Sequence, residues 1–254
     1  MNKVFIACSL LIGQADAVTL KQYEECFTAI HAPQENSEEA YVWFTGLNHP
    51  LFNVVMHLRT DDNVSAAVDS LLAKAAPNSP LSFWVHAENR AEGLAELLKE
   101  RSFTSIGTLP LMVWEVEPVD TPTHEVGPAS KADFQPLVAA IYQEEVSLIE
   151  QFGALLKKAS PKSYLVYADT IPLPKPVGTG TVVQYGEIGA ILNIGTLPEY
   201  QKQGYATSMM HFLMNQAHEH NLKYLVLQSS PMAEKLYSSL GFKKILDIEV
   251  FVRF

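Results

Sequence analysis

The sequence predicts an α/β (α+β) protein built from two related halves. Short segments rich in aliphatic and aromatic residues alternate with helical segments along the chain. The segment Val116–Ser130 contains three prolines and no apolar periodicity, which predicts a linker. The elements before this linker follow in the same order as elements after it, which predicts an internal repeat. We therefore expect domains over residues 1–120 and 126–254.

Composition narrows the class of protein. The 254 residues suffice for two packed cores, and 48% hydrophobic with 18% charged residues is typical of globular proteins. The net charge of -10 and the lack of a clustered Lys/Arg face disfavour nucleic acid as a partner. Cys8 and Cys26 are too few for a disulfide scaffold, so we expect reduced thiols. No spacing typical of metal ligands is present, so no metal is expected.

The N-terminus leaves two interpretations open. Lys3, the apolar run Val4–Gly13 and the segment Ala15–Ala17 resemble a secretory leader over residues 1–17. The following residues continue like the first helix of a domain, which favours a cytoplasmic protein. No other stretch approaches the roughly 20 apolar residues of a membrane span, so no membrane is expected.

The first half contains five predicted elements. They are a strand at Phe52–Arg59, a helix at Val64–Ala75, a strand at Ser82–His86, a helix at Ala91–Arg101 and a strand at Leu109–Val116. Aligning Phe103 with Phe242 matches this series to the end of the chain. The alternative is coincidence between two ordinary α/β segments.

The second half contains ten predicted elements. They are helices at Asp133–Tyr142 and Glu144–Ala159, strands at Tyr164–Ala168, Pro176–Gln184 and Gly189–Thr196, a helix at Tyr205–His220, a strand at Tyr224–Gln228, a helix at Met232–Leu240, a turn at Gly241 and a strand at Ile245–Val252.

The junction between the strand ending at Thr196 and the helix starting at Tyr205 suits an anion. Gly204 at the mouth of the helix lets the backbone approach a ligand, and the unpaired N–H groups of the first turn favour phosphate. A plain strand–turn–helix connection is the alternative interpretation.

The residues around Gly204 are more specific. Gln201-Lys202-Gln203-Gly204-Tyr205-Ala206 resembles the Gln/Arg-x-x-Gly-x-Gly/Ala signature of the GNAT superfamily of N-acetyltransferases. The preceding strand, the following helix, the strand "YLVLQSSP" and the segment "AEKLYSSLGF" resemble the same family in the same order. The resemblance implies the GNAT fold, a mixed and mostly antiparallel sheet flanked by helices, with a degenerate GNAT-like first half.

The resemblance also implies acetyl-CoA as co-substrate. Its pyrophosphate would bind the amides of Gln203 to Thr207, and its pantetheine arm would lie between the strand segments Leu192–Thr196 and Leu225–Ser229. The residues implied in cofactor binding are Ile194, Gly195, Thr196, Gln201, Lys202, Gln203, Gly204, Tyr205, Ala206, Thr207 and Ser229. Gly195 also fits a bulge or a tightly packed strand position.

Tyr237 matches the family's tyrosine that protonates or steadies the CoA thiolate, although packing is the alternative role. Leu98 occupies the matching position of the first half and cannot donate a proton, so that half should be catalytically silent. The general base is unassigned. Ala190 lies where many relatives carry a glutamate, Glu187 would act only through water, and Asn193 cannot be a base.

The implied function is transfer of an acetyl group from acetyl-CoA to an amine by direct attack. The enzyme would be an acyltransferase acting on groups other than amino-acyl groups, with a small-molecule or peptide amine as acceptor and a homodimer left open. The alternative is a non-catalytic acyl-CoA-binding module or an interaction scaffold. Trp43, Trp84 and Trp114 would line a substrate cleft or pack in the core.

Overall fold

The structure is a computed structural model that describes residues 35–36, 40–56, 58, 63–86 and 91–254. The predicted leader over residues 1–17 lies outside the described residues. So do Cys8 and Cys26, whose expected reduced state stays a prediction.

The described residues form eleven strands and six α-helices. The strands are β1 Glu35–Asn36, β2 Tyr41–Phe44, β3 Asn53–Met56, β4 Leu81–Val85, β5 Thr104–Glu115, β6 Val126–Pro128, β7 Lys162–Ala168, β8 Lys175–Tyr185, β9 Ile188–Thr196, β10 Tyr224–Gln228 and β11 Lys243–Arg253. The helices are α1 Val64–Lys74, α2 Leu94–Glu100, α3 Lys131–Tyr142, α4 Val146–Leu155, α5 Tyr205–Glu219 and α6 Glu234–Ser239. None of these helices is long and apolar enough to cross a bilayer.

One mixed sheet holds all of these strands, in the order β1-β2-β3-β4-β11-β5-β10-β9-β8-β7-β6. The pairs β3–β4 and β9–β10 are parallel, and the other described pairs are antiparallel. This confirms the expected mixed, mostly antiparallel sheet flanked by helices.

The last strand of each half lies in the other half's part of the sheet. β11 pairs antiparallel with β4, and β5 pairs antiparallel with β10. β5 and β11 also pair with each other at the centre of the sheet. The sheet therefore does not divide at residues 120 to 126, and each half completes the sheet of the other.

The two halves repeat the same local geometry at the aligned phenylalanines. The N–H of Phe103 donates to the carbonyl of Leu98 at 2.9 Å, and the N–H of Phe242 donates to the carbonyl of Tyr237 at 3.0 Å. In each half a helix connects two parallel strands and a shorter helix precedes the exchanged strand. The aligned segments thus fold alike, while the degenerate nature of the first half stays a prediction.

Polar caps start two of the helices. The Ser130 hydroxyl accepts the N–H of Asp133 at 3.2 Å at the start of α3. The Asn63 side chain accepts the N–H of Ala66 at 3.0 Å at the start of α1. Each cap satisfies an N–H group that has no acceptor within its own helix, which fixes where the helix begins.

The core lies on both faces of the sheet because alternate strand residues point to opposite sides. In β11, Val250 and Val252 join a cluster that extends across both halves on one face. Phe251 points to the other face and packs under α1 and α2. On that same side, Met209 and Leu213 of α5 cover the second half of the sheet.

The structure differs from the sequence expectation in the linker. Val126–Pro128 forms β6 and pairs with β7 at the edge of the sheet, although it lies within the predicted linker Val116–Ser130. β5 begins at Thr104 rather than at Leu109, because pairing with β11 extends the strand. Both differences come from partners that are distant in sequence.

Candidate active site

The segment Gln201–Thr207, called the amide loop below, connects β9 to α5 after a turn of 3-10 helix at Pro198–Tyr200. Gly204 precedes α5 with φ of 88°, in the left-handed region that favours glycine. Lys202 has φ of 59°. The loop leads into a helix N-terminus, whose first-turn N–H groups lack intrahelical acceptors. This arrangement suits an anion.

Two glutamine side chains of the amide loop fold back on the preceding turn. Nε2 of Gln201 donates to the carbonyl of Thr196 at 3.3 Å. Nε2 of Gln203 donates to the carbonyl of Glu199 at 3.0 Å. These bonds brace the loop, so backbone amides are the groups it offers to a ligand.

His124 holds the start of α5 in place. Its ring stacks on Tyr205 with 4.0 Å between centroids, and its Nε2–H donates to the carbonyl of Gln203 at 3.0 Å. Its backbone N–H donates to the Ser208 hydroxyl at 3.1 Å. A Cβ added at Gly204 would lie 3.4 Å from His124 Nε2. The sequence analysis missed His124, because a histidine in a proline-rich segment carries no pattern of its own.

Strands β9 and β10 separate after a short parallel pairing. The pairing ends at Ile191 and Leu227. Beyond it, β9 shifts register against β8, and Asn193 adopts φ of 56°. The Thr179 hydroxyl donates to the carbonyl of Asn193 at 2.7 Å. This β-bulge turns the end of β9, so Leu192–Thr196 pairs with β8 alone and a gap opens toward β10.

The gap is shorter on β10 than the sequence analysis expected. The expected segment was Leu225–Ser229, but pairing with β9 extends through Leu227. Only Gln228 and Ser229 border the gap. Ser229 is buried, and its N–H donates to the carbonyl of Pro110 in β5 at 2.8 Å. The exchanged strand β5 therefore accepts the backbone hydrogen bond of Ser229, directly after β10.

Gly195 and Thr196, at the end of β9, have different surroundings. A Cβ added at Gly195 would lie 2.5 Å from Cγ2 of Ile141, so α3 makes the close approach there. The Thr196 hydroxyl is buried beside Gly178 and has no hydrogen-bond partner in the described part of the chain. A buried hydroxyl next to the amide loop fits a site that a ligand completes.

Two tyrosines, Tyr142 of α3 and Tyr237 of α6, have hydroxyl pKa values raised by burial. Tyr142, at the end of α3, donates to the carbonyl of Ile194 at 3.0 Å. Its side chain is 45% exposed, yet its hydroxyl lies inside, and burial raises its pKa to about 12. Burial, with an added effect of Tyr142, also raises the pKa of Tyr237. Both phenols therefore keep their protons at neutral pH. Tyr142 did not stand out in the sequence, because it is the last residue of an ordinary amphipathic helix.

A cavity of about 580 Å³ lies between the two halves and reaches the gap. Tyr142, Leu192, Asn193 and Gln228 line it at the gap. Most of its other lining side chains are aromatic or aliphatic and come from β2, the Pro50–Phe52 turn, α3 and α4. The first half thus forms one wall of this cavity.

Of the three tryptophans, two line this cavity. Trp43 and Trp84 are buried and contribute to its wall. Trp43 meets Phe152 of α4 edge to face at 6.1 Å. Trp114 instead packs against Phe242, with 6.1 Å between ring centroids, and belongs to the core.

A His–Glu pair crosses the cavity wall from one half to the other. His49 Nε2 lies 3.3 Å from Glu144 Oε1. The N–H of Leu51 donates to His49 Nδ1 at 3.2 Å. Because Nδ1 accepts, the ring proton sits on Nε2 and points to Glu144, so the imidazole is neutral and the pair carries one negative charge. Neither residue stood out in the sequence.

Glu187 and Asn193, the carboxylate and the amide considered as catalytic groups in the sequence, lie in different parts of the structure. Glu187 forms an ion pair with Lys223 at 2.8 Å just before β9, about 20 Å along the strand from the bulge at Asn193. Ala190 is buried in the core. Asn193 lines the cavity, and Glu144 is the acidic residue in the described lining.

Comparisons with known proteins agree with this geometry. The sequence profile of the acetyltransferase (GNAT) family matches residues 130–242. A ribosomal protein bS18-alanine N-acetyltransferase from Haemophilus ducreyi is 38% identical over 58 residues, which make up 22% of this chain and 40% of that protein. The match thus covers less than half of that curated relative.

Solved structures resemble nearly the whole chain. A GCN5-related N-acetyltransferase from Kribbella flavida has a TM-score of 0.64 at 17% identity, covering 94% of this chain and 96% of its own. A tandem GNAT protein from the clavulanic acid biosynthesis pathway has a TM-score of 0.57 at 12% identity, covering 82% of this chain and 75% of its own. The chain has the GNAT fold, and its residues 130–242 match the acetyltransferase (GNAT) family.

Proposed function

We propose that this protein transfers an acetyl group from acetyl-CoA to the amine of an acceptor by direct attack. The gap between β9 and β10 carries the proposal, because it joins the amide loop to the cavity. The amides of residues 203–207 would hold the pyrophosphate, and the strand from Ile194 to Thr196 would hold the pantetheine arm. The thioester supplies an activated acetyl group.

Local positive charge supports phosphate binding on an acidic protein. Lys175 Nζ lies 5.1 Å from the centroid of the Tyr200 ring, in the turn that leads to the amide loop. Lys202 is exposed within the loop itself. Together with the helix N-terminus, these groups attract an anion where the net charge of -10 would repel it.

Tyr237 is the residue we propose to stabilise the leaving thiolate. Its pKa is raised by burial, whereas a thiol has a pKa of about 8.5. A phenol that holds its proton so firmly stabilises the thiolate chiefly as a hydrogen-bond donor, and the thiolate takes its final proton as CoA leaves. Tyr237 also packs against Phe242, at 5.9 Å between centroids, which fixes the direction of its hydroxyl.

The acceptor amine must lose a proton, because an ammonium has no lone pair for attack. The amine nitrogen bonds to the thioester carbonyl carbon, the carbon–sulfur bond breaks, and the amine proton leaves to a base or a water path. Glu187 is too distant for this task. Glu144 is the described acidic residue that lines the cavity, so we propose it as acceptor of that proton, directly or through water.

We propose that the first half has a structural role. Leu98, aligned with Tyr237, is fully buried in an apolar cluster and has no proton to give. The connection between β3 and α1, which corresponds to the connection between β9 and α5, lies largely outside the described residues. This half supplies cavity walls at Trp43 and Trp84 and the exchanged strand β5.

A ligand titration combined with an activity assay tests the proposal. Acetyl-CoA at a hundredfold excess over its dissociation constant should stabilise the fold by about 2.7 kcal/mol, and the melting temperature should rise accordingly. Incubation with a pool of primary amines should then release free CoA above the rate of hydrolysis. Binding without CoA release would identify an acyl-CoA-binding module, and the absence of binding would indicate an interaction scaffold.

A further inference from the structure

We infer that the acceptor is a small primary amine carried by an apolar body, which fills the cavity between the two halves while Glu144 holds its ammonium group. This inference rests on the proposed acetyl transfer and names its substrate class.

The size of the cavity fits a small molecule. Its volume of about 580 Å³ lies within the roughly 300–1,000 Å³ typical of small-ligand sites. Both halves wall the cavity, with α3 and α4 on the side of the second half, so an acceptor inside it contacts protein from several elements. Polar side chains such as Lys131, Gln135 and Gln228 also line the cavity, but apolar side chains outnumber them, which favours an acceptor with an apolar body.

The walls are predominantly apolar, and several of their side chains are aromatic. Phe52 of the first half stacks on Phe152 of α4, with ring centroids 4.3 Å apart and planes at 16°. Trp43 meets the same Phe152 edge to face. Rings fixed by each other present flat apolar surfaces that favour an aliphatic or aromatic body. Burying such a body is favourable by about 25 cal/mol per Å² of apolar surface.

The polar groups of the cavity indicate where the amine lies. The pair of His49 and Glu144 carries one negative charge, because the ring of His49 is neutral. His49 occupies one side of the carboxylate, which has further lone pairs for an ammonium N–H. Glu144 and Tyr142 line the same cavity, and the Tyr142 hydroxyl reaches the gap, so an ammonium bound at Glu144 lies in the cavity that opens to the gap.

Two amines of equal size test the inference. Hexylamine and cadaverine have the same number of heavy atoms, but cadaverine replaces the terminal methyl with a second ammonium. Burial of this second charge in the aromatic end should lower kcat/KM for cadaverine at least roughly 100-fold relative to hexylamine. A short peptide beginning with alanine should be as poor as cadaverine. Equal use of cadaverine or of the peptide would overturn the inference while leaving acetyl transfer intact.

A variant that fills the cavity provides a second test. Gly153 lies in α4 and lines the cavity, and a Cβ there meets only the mobile end of Gln135 at 3.1 Å. Gly153→Leu adds bulk to the cavity and improves helix propensity, so the fold should be retained. We expect at least a tenfold higher KM for hexylamine and unchanged acetyl-CoA binding. Ala154→Leu adds similar bulk at the exposed neighbouring position and should leave KM unchanged. An unchanged KM in Gly153→Leu would overturn the inference.

A substitution that removes only the negative charge of Glu144 tests its role. Glu144→Gln keeps the size and can still accept the proton of His49, but it removes the negative charge. We expect the dissociation constant of hexylamine, measured calorimetrically with CoA present, to rise roughly tenfold. This binding measurement needs no turnover, so hexylamine that binds without being acetylated would contradict the proposed function and support the cavity inference. Equal binding to both proteins would remove Glu144 from the inference.

Discussion

The hydroxyl of Tyr142 lies 3.0 Å from the carbonyl oxygen of Ile194 and donates a hydrogen bond to it across the mouth of the gap. Ile194 belongs to the part of β9 that has left β10, so its backbone is available to a strand-like ligand. The Tyr142 hydroxyl takes up one of these backbone groups. We expect a cofactor that binds this backbone to compete with Tyr142 or to move it.

Removing this hydroxyl should strengthen cofactor binding. A single hydrogen bond contributes about 1 kcal/mol, so Tyr142→Phe should lower the dissociation constant of acetyl-CoA about fivefold in calorimetric titration. Tyr185→Phe is the matched control, since Tyr185 is an exposed tyrosine at the distant end of β8 and should leave the affinity unchanged. Weaker binding in Tyr142→Phe would mean that the hydroxyl contacts the cofactor instead of competing with it.

A substitution at Tyr237 should change the rate of acetyl transfer without changing the affinity for acetyl-CoA. Tyr237→Phe keeps the packing against Phe242 and removes only the donor. Acetyl-CoA affinity should stay nearly constant, while transfer should slow by roughly 10²-fold, measured as thiol release with saturating amine. If turnover matched that of the unchanged protein, Tyr237 would be a packing residue.

The conformation of Gly204 supports a matched pair of variants. Gly204→Val places a branched residue at φ of 88°, beside His124, and should reduce acetyl-CoA affinity at least roughly 100-fold by distorting the amide loop. Gly186→Val imposes similar backbone strain at φ of 56° in the distant β8–β9 turn. Both variants should lose some stability, but only Gly204→Val should lose binding. Similar affinities in the two would remove the amide loop from the site.

The raised pKa values of Tyr142 and Tyr237 predict an alkaline loss of stability. Folding favours the protonated phenols, so their contribution is fully present below the unfolded pKa of about 10. It should be lost as pH rises from about 10 toward the pKa of about 12 of Tyr142. Urea unfolding at a series of pH values should show a shallower decline for the double variant Tyr142→Phe with Tyr237→Phe. Identical slopes would contradict the buried placement of both hydroxyls.

The strand exchange predicts that neither half folds alone. Without residues 1–120, β10 and β11 lose β5, and β11 also loses β4. Exposed unpaired strands are prone to aggregate, so residues 121–254 expressed alone should be insoluble, and coexpression with residues 1–120 should restore a soluble complex. A soluble, cooperatively unfolding 121–254 fragment would contradict the mutual dependence.

Local patterns predicted much of the fold. The alignment of Phe103 with Phe242 also pairs Ser102 with Gly241, and the two residues have φ of 66° and 89°. Serine, unlike glycine, does not predict a left-handed conformation by its residue type. The available signal was its position after a helical pattern, which matches the position of Gly241. The exchange of β5 and β11 was not predictable in this way, since pairing partners 130 or more residues apart leave no local pattern.

The candidate site was predictable where it depends on the backbone and unpredictable where it depends on distant contacts. Gly204 stood out because a glycine before a helical pattern has few local explanations. His124, Tyr142 and Glu144 acquire their roles only when α3 and the segment before β6 fold against α5 and the first half. The bulge at Asn193 likewise appears only in the register of β9 against β8.

The stoichiometry of products tests the central claim most directly. The protein is incubated with acetyl-CoA and hexylamine within a wider amine pool, and free CoA and N-acetylated amines are quantified by mass spectrometry. We predict one acetylated amine for each CoA released, with the reaction abolished in Gly204→Val and retained in Gly186→Val. Saturating acetyl-CoA binding with no acetylated amine from the unchanged protein would contradict the account.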